Sequence, residues 1–300
     1  MNNNFTLAVR QFLRRLHQSI LWRSVALFHW FSANFSRKKG TTKTKRNPEL
    51  IISLTTIPER VSRVHLCLDS LLRQSVKPDR IILWLSESDD PSRPIISRDN
   101  LPASLTRLTK RGVEIRWTED IRSYTKIIPA LVEHPNALIV TADDDIYYPK
   151  HWLAKLYEAY LREPQYIHCH RAHLIKYDES GCVLPYRQWE MIAEGITGPS
   201  MDLFPTGVGG VLYAPGHLHP GVIARDVFLT ICPKADDVWL KAMSMKAGVF
   251  CKKVASSTFK IREVRIPNNR TLFEENLIQN GNDPQIKAVG NQYGVFRKII

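Results

Sequence analysis

The stretch Ala137-Leu138-Ile139-Val140-Thr141-Ala142-Asp143-Asp144-Asp145-Ile146-Tyr147-Tyr148-Pro149 decides the fold class of this chain. Its uncharged first half reads as a buried strand. Three carboxylates at the strand's end then fall at the carboxyl edge, where open α/β sheets bind their ligands. Adjacent negative charges repel one another, so a divalent cation held by hard oxygen ligands is the simplest compensating partner. A solvated acidic turn is the alternative use of the same residues.

Working outward, Leu50 to Leu54 reads as a strand, followed by a helix carrying Val61, Val64, Leu68 and Leu71. Ile81 to Leu85 is the next strand, Leu101 to Lys110 a helix, and Val113 to Trp117 a third strand; residues 124–134 form a short helical stretch around Pro129. This alternation predicts an α/β fold with a mainly parallel sheet and helices on both faces. Trp84 and Trp117 read as strand core residues, with stacking on a ligand as the alternative. After Pro149 a helix runs to about Arg162 with Trp152, Leu153, Leu156, Tyr157 and Tyr160 on its apolar side. Residues 166–222 mix short strands with Gly, Pro and aromatic residues, as loops that build a pocket do. A last helix is expected from near Asp236 to before Gly248. Neither GxxxxGK[ST] nor GxGxxG follows a strand, so the usual ATP and dinucleotide signatures are absent.

The formal charge of +13 over 300 residues resembles a nucleic-acid binder until its distribution is examined. Residues 1–46 hold ten Lys and Arg and no Asp or Glu, leaving 32 basic against 29 acidic residues in the rest. The body is nearly neutral and lacks basic-aromatic interleaving, which argues against a nucleic-acid partner. Five scattered cysteines without a CxxC pair point to a reducing compartment and to core packing. Val9, Phe12, Leu13, Leu16, Ile20, Leu27 and Phe31 recur at near-helical spacing beside Arg10, Arg14 and Arg23, the pattern of a basic amphipathic helix lying on an anionic membrane surface. A membrane-spanning signal anchor, a helix packed on the body and a mobile tail are the alternatives. Residues 36–47 read as a solvated linker. The expected organisation is therefore a membrane-associating segment with linker over 1–47, a catalytic domain over 48–265, and a C-terminal extension over 266–300 packing near the active site.

Residues 49–260 taken together resemble a GT-A fold glycosyltransferase of the family-two-like group, which transfers sugars from nucleotide diphosphates. Asp143-Asp144-Asp145 resembles that family's DxD motif, and it follows a first strand and loop reading SLTTIPERV (Ser53 to Val61). The resemblance implies Mn2+ or Mg2+ held by Asp143 and Asp145 against the donor diphosphate, with Asp143 and Asp144 also at the nucleotide and a UDP-sugar as favoured donor. It implies that Thr55, Thr56 and Arg60 line the nucleotide pocket, that Asp120 recognises base or ribose, and that Lys126 contacts phosphate. Ordinary loop and surface roles are the competing uses. Gly209 and Gly210, in the loop from Thr206 to Tyr213, resemble the segment that approaches donor sugar and acceptor; a structural turn is the alternative. Asp236-Asp237 matches the acidic pair whose second carboxylate is the catalytic base of inverting members. Asp236 is also a candidate helix N-cap.

The pattern departs from the family in two places. No histidine follows Asp237, the last being His219, so either Asn268, Asn269 or water takes the place of a histidine metal ligand, or the aspartates and the diphosphate alone hold the metal. The Gln-x-x-Arg-Trp motif of processive synthases is absent, which favours transfer of a single sugar. His168, His170 and His173 alternate as a strand and read as structural or acceptor-lining, with a metal site as the lesser alternative. The expectation is metal-dependent, inverting transfer of a hexose or related sugar to a hydroxyl of a glycan or lipid-linked, lipopolysaccharide- or capsule-like acceptor, at the cytoplasmic face of the inner membrane. A nucleotidyltransferase is the enzymatic alternative, weakened by the lack of a Gly-rich basic loop for a triphosphate. A non-catalytic carbohydrate-binding protein on the same fold is the other.

Overall fold

Strands β1 (Leu50–Thr55), β2 (Arg80–Leu85), β3 (Val113–Trp117) and β4 (Leu138–Thr141) pair in parallel in the computed structural model, which describes residues 23–87, 96–257, 259–264 and 281–297. β5 (Ile167–Cys169) and β9 (Cys251–Lys253) pair in parallel with each other, while β8 (Val211–Tyr213) runs antiparallel between β4 and β5. The seven-stranded order is β3-β2-β1-β4-β8-β5-β9. A separate antiparallel pair, β6 (Ala172–Leu174) and β7 (Leu203–Pro205), comes from the irregular region.

Strand periodicity splits the core in two. Leu50, Ile52, Leu54, Leu138 and Val140 face α2 (Val64–Leu72), α3 (Ala103–Thr109) and α5 (Trp152–Arg162). Ile51 and Ile139 belong to the opposite layer, with α4 (Ile128–Glu133), α6 (Arg225–Ile231), α7 (Asp236–Lys246) and α8 (Asn282–Tyr293). Both faces are covered, which is why β1 and β4 read as continuous apolar runs rather than alternating ones. The mostly parallel α/β sheet flanked by helices is as expected. β2 lies on one side of β1 and β4 on the other, so the strand order reverses at β1 and leaves a crevice at the carboxyl ends of β1 and β4.

Several expectations need correction. Residues 36–47 are not a solvated linker: Gly40 N donates to Arg111 O at 2.8 Å, Thr42 N to Pro78 O at 2.9 Å, and Arg46 pairs with Asp79 at 3.0 Å. A Cβ at Gly40 would meet Leu72 Cδ2 at 2.2 Å, so the segment lies flat against α2. Its polar composition looked like solvation, but its backbone groups are paired with the body. Helix α1, described over residues 23–35, also packs on the body through Ala33 and Ser32. α7 is not the last helix, because α8 follows and packs on it. Its sequence, NDPQIKAVGNQY, hides this element: Ile286 and Val289 are its only buried large aliphatics, amid polar residues and a glycine. Val61 lies in the turn before α2. The stripe residues Val9 to Ile20, and Asn268 and Asn269, lie outside the described residues. Among the described residues no helix is long and apolar enough to cross a membrane.

Candidate active site

The ends of β1 and β4 bring the acidic run against the first loop. Asp144 is buried; Thr56 Oγ1 donates to its Oδ2 at 2.5 Å, and Arg60 Nη1 donates to its Oδ1 at 2.8 Å. The same Arg60 nitrogen reaches Asp145 Oδ2 at 3.0 Å. Asp143 is served from the opposite layer, where Lys126 ends a 3-10 turn (Arg122–Lys126) and places Nζ 3.1 Å from Asp143 Oδ1. The backbone N of Asp143 donates to Tyr148 Oη at 2.8 Å, which fixes the start of the acidic run.

Lys126 Nζ also lies 3.0 Å from Asp236 Oδ2, at ion-pair distance but without hydrogen-bond geometry. Both Asp237 oxygens accept from Gly207 N at 3.1 Å. A buried lysine thus joins two acidic groups that are far apart in sequence. The N-cap of α7 is Ala235, so Asp236 does not cap the helix; it is the first helical residue and turns toward Lys126. Both aspartates sit in the first turn, where the helix dipole favours negative charge.

Five aspartates gather about Arg60 and Lys126, and burial together with neighbouring carboxylates raises three of them, Asp144, Asp145 and Asp237. Burial and then Asp144 and Asp143 push the Asp145 carboxyl up to about 7, with Arg60 opposing. Burial and Asp236 push Asp237 up to about 7, against Lys126 and the Gly207 N–H. Asp144 is raised by burial despite Arg60 and Thr56. Burial acts to lower Lys126, but Asp143, Asp236 and Asp237 outweigh it and hold the ammonium charged. Like charges about 4 Å apart repel by about 4 kcal/mol at an effective dielectric of ~20, enough to account for shifts of this size. Excess negative charge carried on hard oxygens fits a divalent cation. Asp143 and Asp145 are the members with room to hold it, at 26% and 21% side-chain exposure against 7% for Asp144. Among the described residues no three His, Cys, Asp or Glu side chains form a ready-made metal cage, so a diphosphate and water would have to complete the shell.

Other expected residues end up elsewhere. Thr55 Oγ1 donates to Trp84 O at 3.0 Å and ties β1 to β2. Asp120 is exposed and accepts from Arg122 N at 2.7 Å, a local turn bond outside the carboxylate cluster. Lys126, expected at phosphate, is held between carboxylates. Gly209 and Gly210 serve packing: Gly209 O accepts from Trp152 Nε1 at 2.7 Å, and a Cβ at Gly210, where φ is +88°, would meet Trp152 Cζ2 at 2.3 Å. The glycine at the acids is Gly207, whose Cβ would meet Lys126 Nζ at 2.8 Å and Asp237 Oδ1 at 3.1 Å. Its place in the same glycine-containing loop was the available signal, but spacing alone does not say which glycine faces the pocket. Trp84 is fully buried core. The histidines bond to backbone, His168 to Glu163 O, His170 to Trp152 O and His173 to Ile192 N, and so build structure rather than a metal site. A cavity of about 170 Å³ lies between α1 and the segment around Arg63 and Tyr147, and Val264 on its wall donates its N–H to Asp145 O at 2.6 Å.

No protein-family model and no curated protein sequence matches the chain. Among solved structures, it is similar to CMP:2-keto-3-deoxy-manno-octonic acid synthetase complexed with CTP, with a TM-score of 0.38 and 11% identity over 68% of this chain and 88% of that one. A likeness of that size carries no argument about what this chain does.

Proposed function

We propose that the chain is a metal-dependent glycosyltransferase of the GT-A type, moving a sugar from a nucleotide-diphosphate donor, UDP-sugar favoured, to a hydroxyl of a glycan or lipid-linked acceptor. One observation carries the reading: an acidic run at the sheet's topological switch point is joined through Lys126 to a second acidic pair at a helix start. The first group suits a donor diphosphate with its cation and the second an acceptor. Asp143 and Asp145 would hold Mn2+ or Mg2+, which when bound offsets the charge that builds up on a leaving nucleoside diphosphate. Thr56 and Arg60 hold Asp144 and Asp145 in place, and Arg60 would meet a donor phosphate drawn to that end of the crevice. Gly207 N–H positions Asp237, whose affinity for protons near neutrality suits a general base that would take the acceptor hydroxyl's proton during inverting attack.

Thermal shift of the full chain against UDP, UDP-sugars and CTP, with and without Mn2+, tests the reading. Stabilisation by UDP-sugar that requires Mn2+, and its loss by at least about tenfold in affinity in Asp145→Asn, is the expected result. Unchanged Mn2+-dependent UDP binding in that variant removes the metal assignment. Preference for a triphosphate over any diphosphate sugar would make the chain a nucleotidyltransferase.

A further inference from the structure

Helix α1 turns its large hydrophobic side chains to solvent. Its body-facing side carries Val25, Ala26, His29, Ser32 and Ala33, while Leu27, Phe28, Trp30, Phe31 and Phe35 are 65%, 50%, 48%, 59% and 63% exposed. Ten large hydrophobic side chains are exposed among the described residues, and five of them fall in these nine positions. Phe31 and Phe35 touch at a ring separation of 4.7 Å, and Trp30 lies edge-on to Phe35 at 6.4 Å, so the patch is continuous. A helix free to roll would bury these rings.

Polar contacts prevent the roll. Asp69, fully buried on α2, accepts from Ser32 Oγ at 2.9 Å and Arg111 Nη1 at 2.6 Å and lies 2.8 Å from His29 Nδ1. Arg111 Nε donates to Lys38 O at 3.1 Å, and Arg73 Nη1 to Ser32 Oγ at 3.2 Å. His29 stacks on Tyr147, two residues beyond Asp145, with ring centroids 5.0 Å apart. The docked helix therefore touches the loop that carries the carboxylates.

The surroundings of the patch identify its occupant. Arg23, Arg37, Lys38 and Lys39 are exposed in or just after the helix, and α3 adds Arg107, which donates to Asn34 at 2.6 Å, and Lys110. No acidic residue occurs in positions 1–46. A second copy would bring the same positive rim, so self-pairing is electrostatically opposed. Aromatic rings with a tryptophan, framed by cations, match the headgroup boundary of an anionic bilayer.

We propose that α1 is a rigid in-plane docking plate for an anionic lipid surface, its aromatic face in the headgroup boundary and its opposite face bolted to the domain through Asp69. The crevice at β1 and β4 is then held beside lipid, and the acceptor class under the transferase reading becomes a membrane-resident glycan carrier. That last step alone rests on the transferase reading; the docking does not.

Flotation of the full chain with phosphatidylcholine vesicles, with or without one quarter phosphatidylglycerol, tests the plate. The wild type is expected to float with the anionic vesicles only, and Phe31→Ser/Phe35→Ser to partition roughly tenfold or more weakly. Ile223→Ser/Phe250→Ser, which removes exposed apolar residues elsewhere, is expected to float as the wild type does. Brominated lipid chains should quench a tryptophan signal that Trp30→Phe lacks while it still binds, which places the contact at α1 and not at residues 1–22 alone. UDP binding by Phe31→Ser/Phe35→Ser separates the two readings, since it is unaffected if only docking is lost. Equal flotation of wild type and Phe31→Ser/Phe35→Ser, no flotation at all, quenching unchanged by Trp30→Phe, or a dimer that the double serine variant splits would each overturn the proposal.

Discussion

At the scale of single residues, Asp237 and Gly210 separate chemistry from packing. Asp237 accepts from one backbone N–H and lies beside Asp236, and its carboxyl titrates near 7. Asp237→Asn is expected to reduce transfer by on the order of 10²–10⁴-fold while donor Kd changes less than about threefold, read by kcat alongside calorimetric Kd. Asp236→Asn in the same assays shows whether the pair acts as one unit. Loss confined to Asp236→Asn would move the base there. Gly210 has a different vulnerability: its φ of +88° penalises any side chain, and Trp152 fills the space a Cβ would need. Trp152 cannot swing away without losing its bond to Gly209 O. Gly210→Ala is expected to cost about 2–5 kcal/mol in urea unfolding, from backbone strain and overpacking together. A cost within about 0.5 kcal/mol would show that the loop repacks freely.

At the scale of elements, the attachment of α1 depends on one buried carboxylate. Burial acts to raise the Asp69 carboxyl, yet hydrogen bonds from His29, Arg111 and Ser32 outweigh it and hold it below the usual carboxylate range. A carboxyl depressed on folding contributes stability at neutral pH that disappears as pH falls below its unfolded value. Asp69→Asn would leave Arg111 buried without its counter-ion and is expected to cost about 3–5 kcal/mol. Amide exchange over residues 23–35 should accelerate more than exchange in β1, because the helix is held by this contact and β1 is not. Uniform protection in the variant would mean that apolar contacts alone hold α1.

At the scale of the whole molecule, buried neutral histidines weaken the fold as pH falls. Burial, partly offset by Trp152 O, drives His170 down to about 4, and burial with Arg171 drives His173 down to about 3. In the unfolded chain both titrate near ~6.5, so below that pH the unfolded state binds more protons than the folded one. The contribution of each histidine is therefore complete above about pH 6.5 and falls as pH drops toward its folded value, by up to about 1.4 kcal/mol per pH unit, while the raised Asp145 and Asp237 carboxyls act in the opposite sense. With urea midpoints measured from pH 7 to pH 4.5, His170→Gln is expected to lose less stability on acidification than the wild type, the difference in slope reaching up to one proton. An unchanged slope would place the acid sensitivity in other groups.

The strands β1 to β4 and helices α2, α3 and α5 were legible because covered strands and amphipathic helices impose periods on the apolar residues, and the acidic run was visible at the strand's end. The chain's charge distribution likewise showed at once that its basicity belongs to the first 46 residues. Tertiary structure alone decided what the charged and small residues touch. The fold closes Lys126 between Asp143 and Asp236, 3.1 and 3.0 Å away, and these carboxylates offset the cost of burying its ammonium. Gly207, not Gly209 or Gly210, faces the acids, which depends on the loop's path over Trp152. Residues 36–47 lie on the body because their backbone finds partners at Arg111, Pro78 and Asp79, and α1 turns His29 and Ser32 inward because Asp69 receives them. Pattern in a sequence reports burial by period, whereas charge pairing across layers depends on which segments the topology makes neighbours.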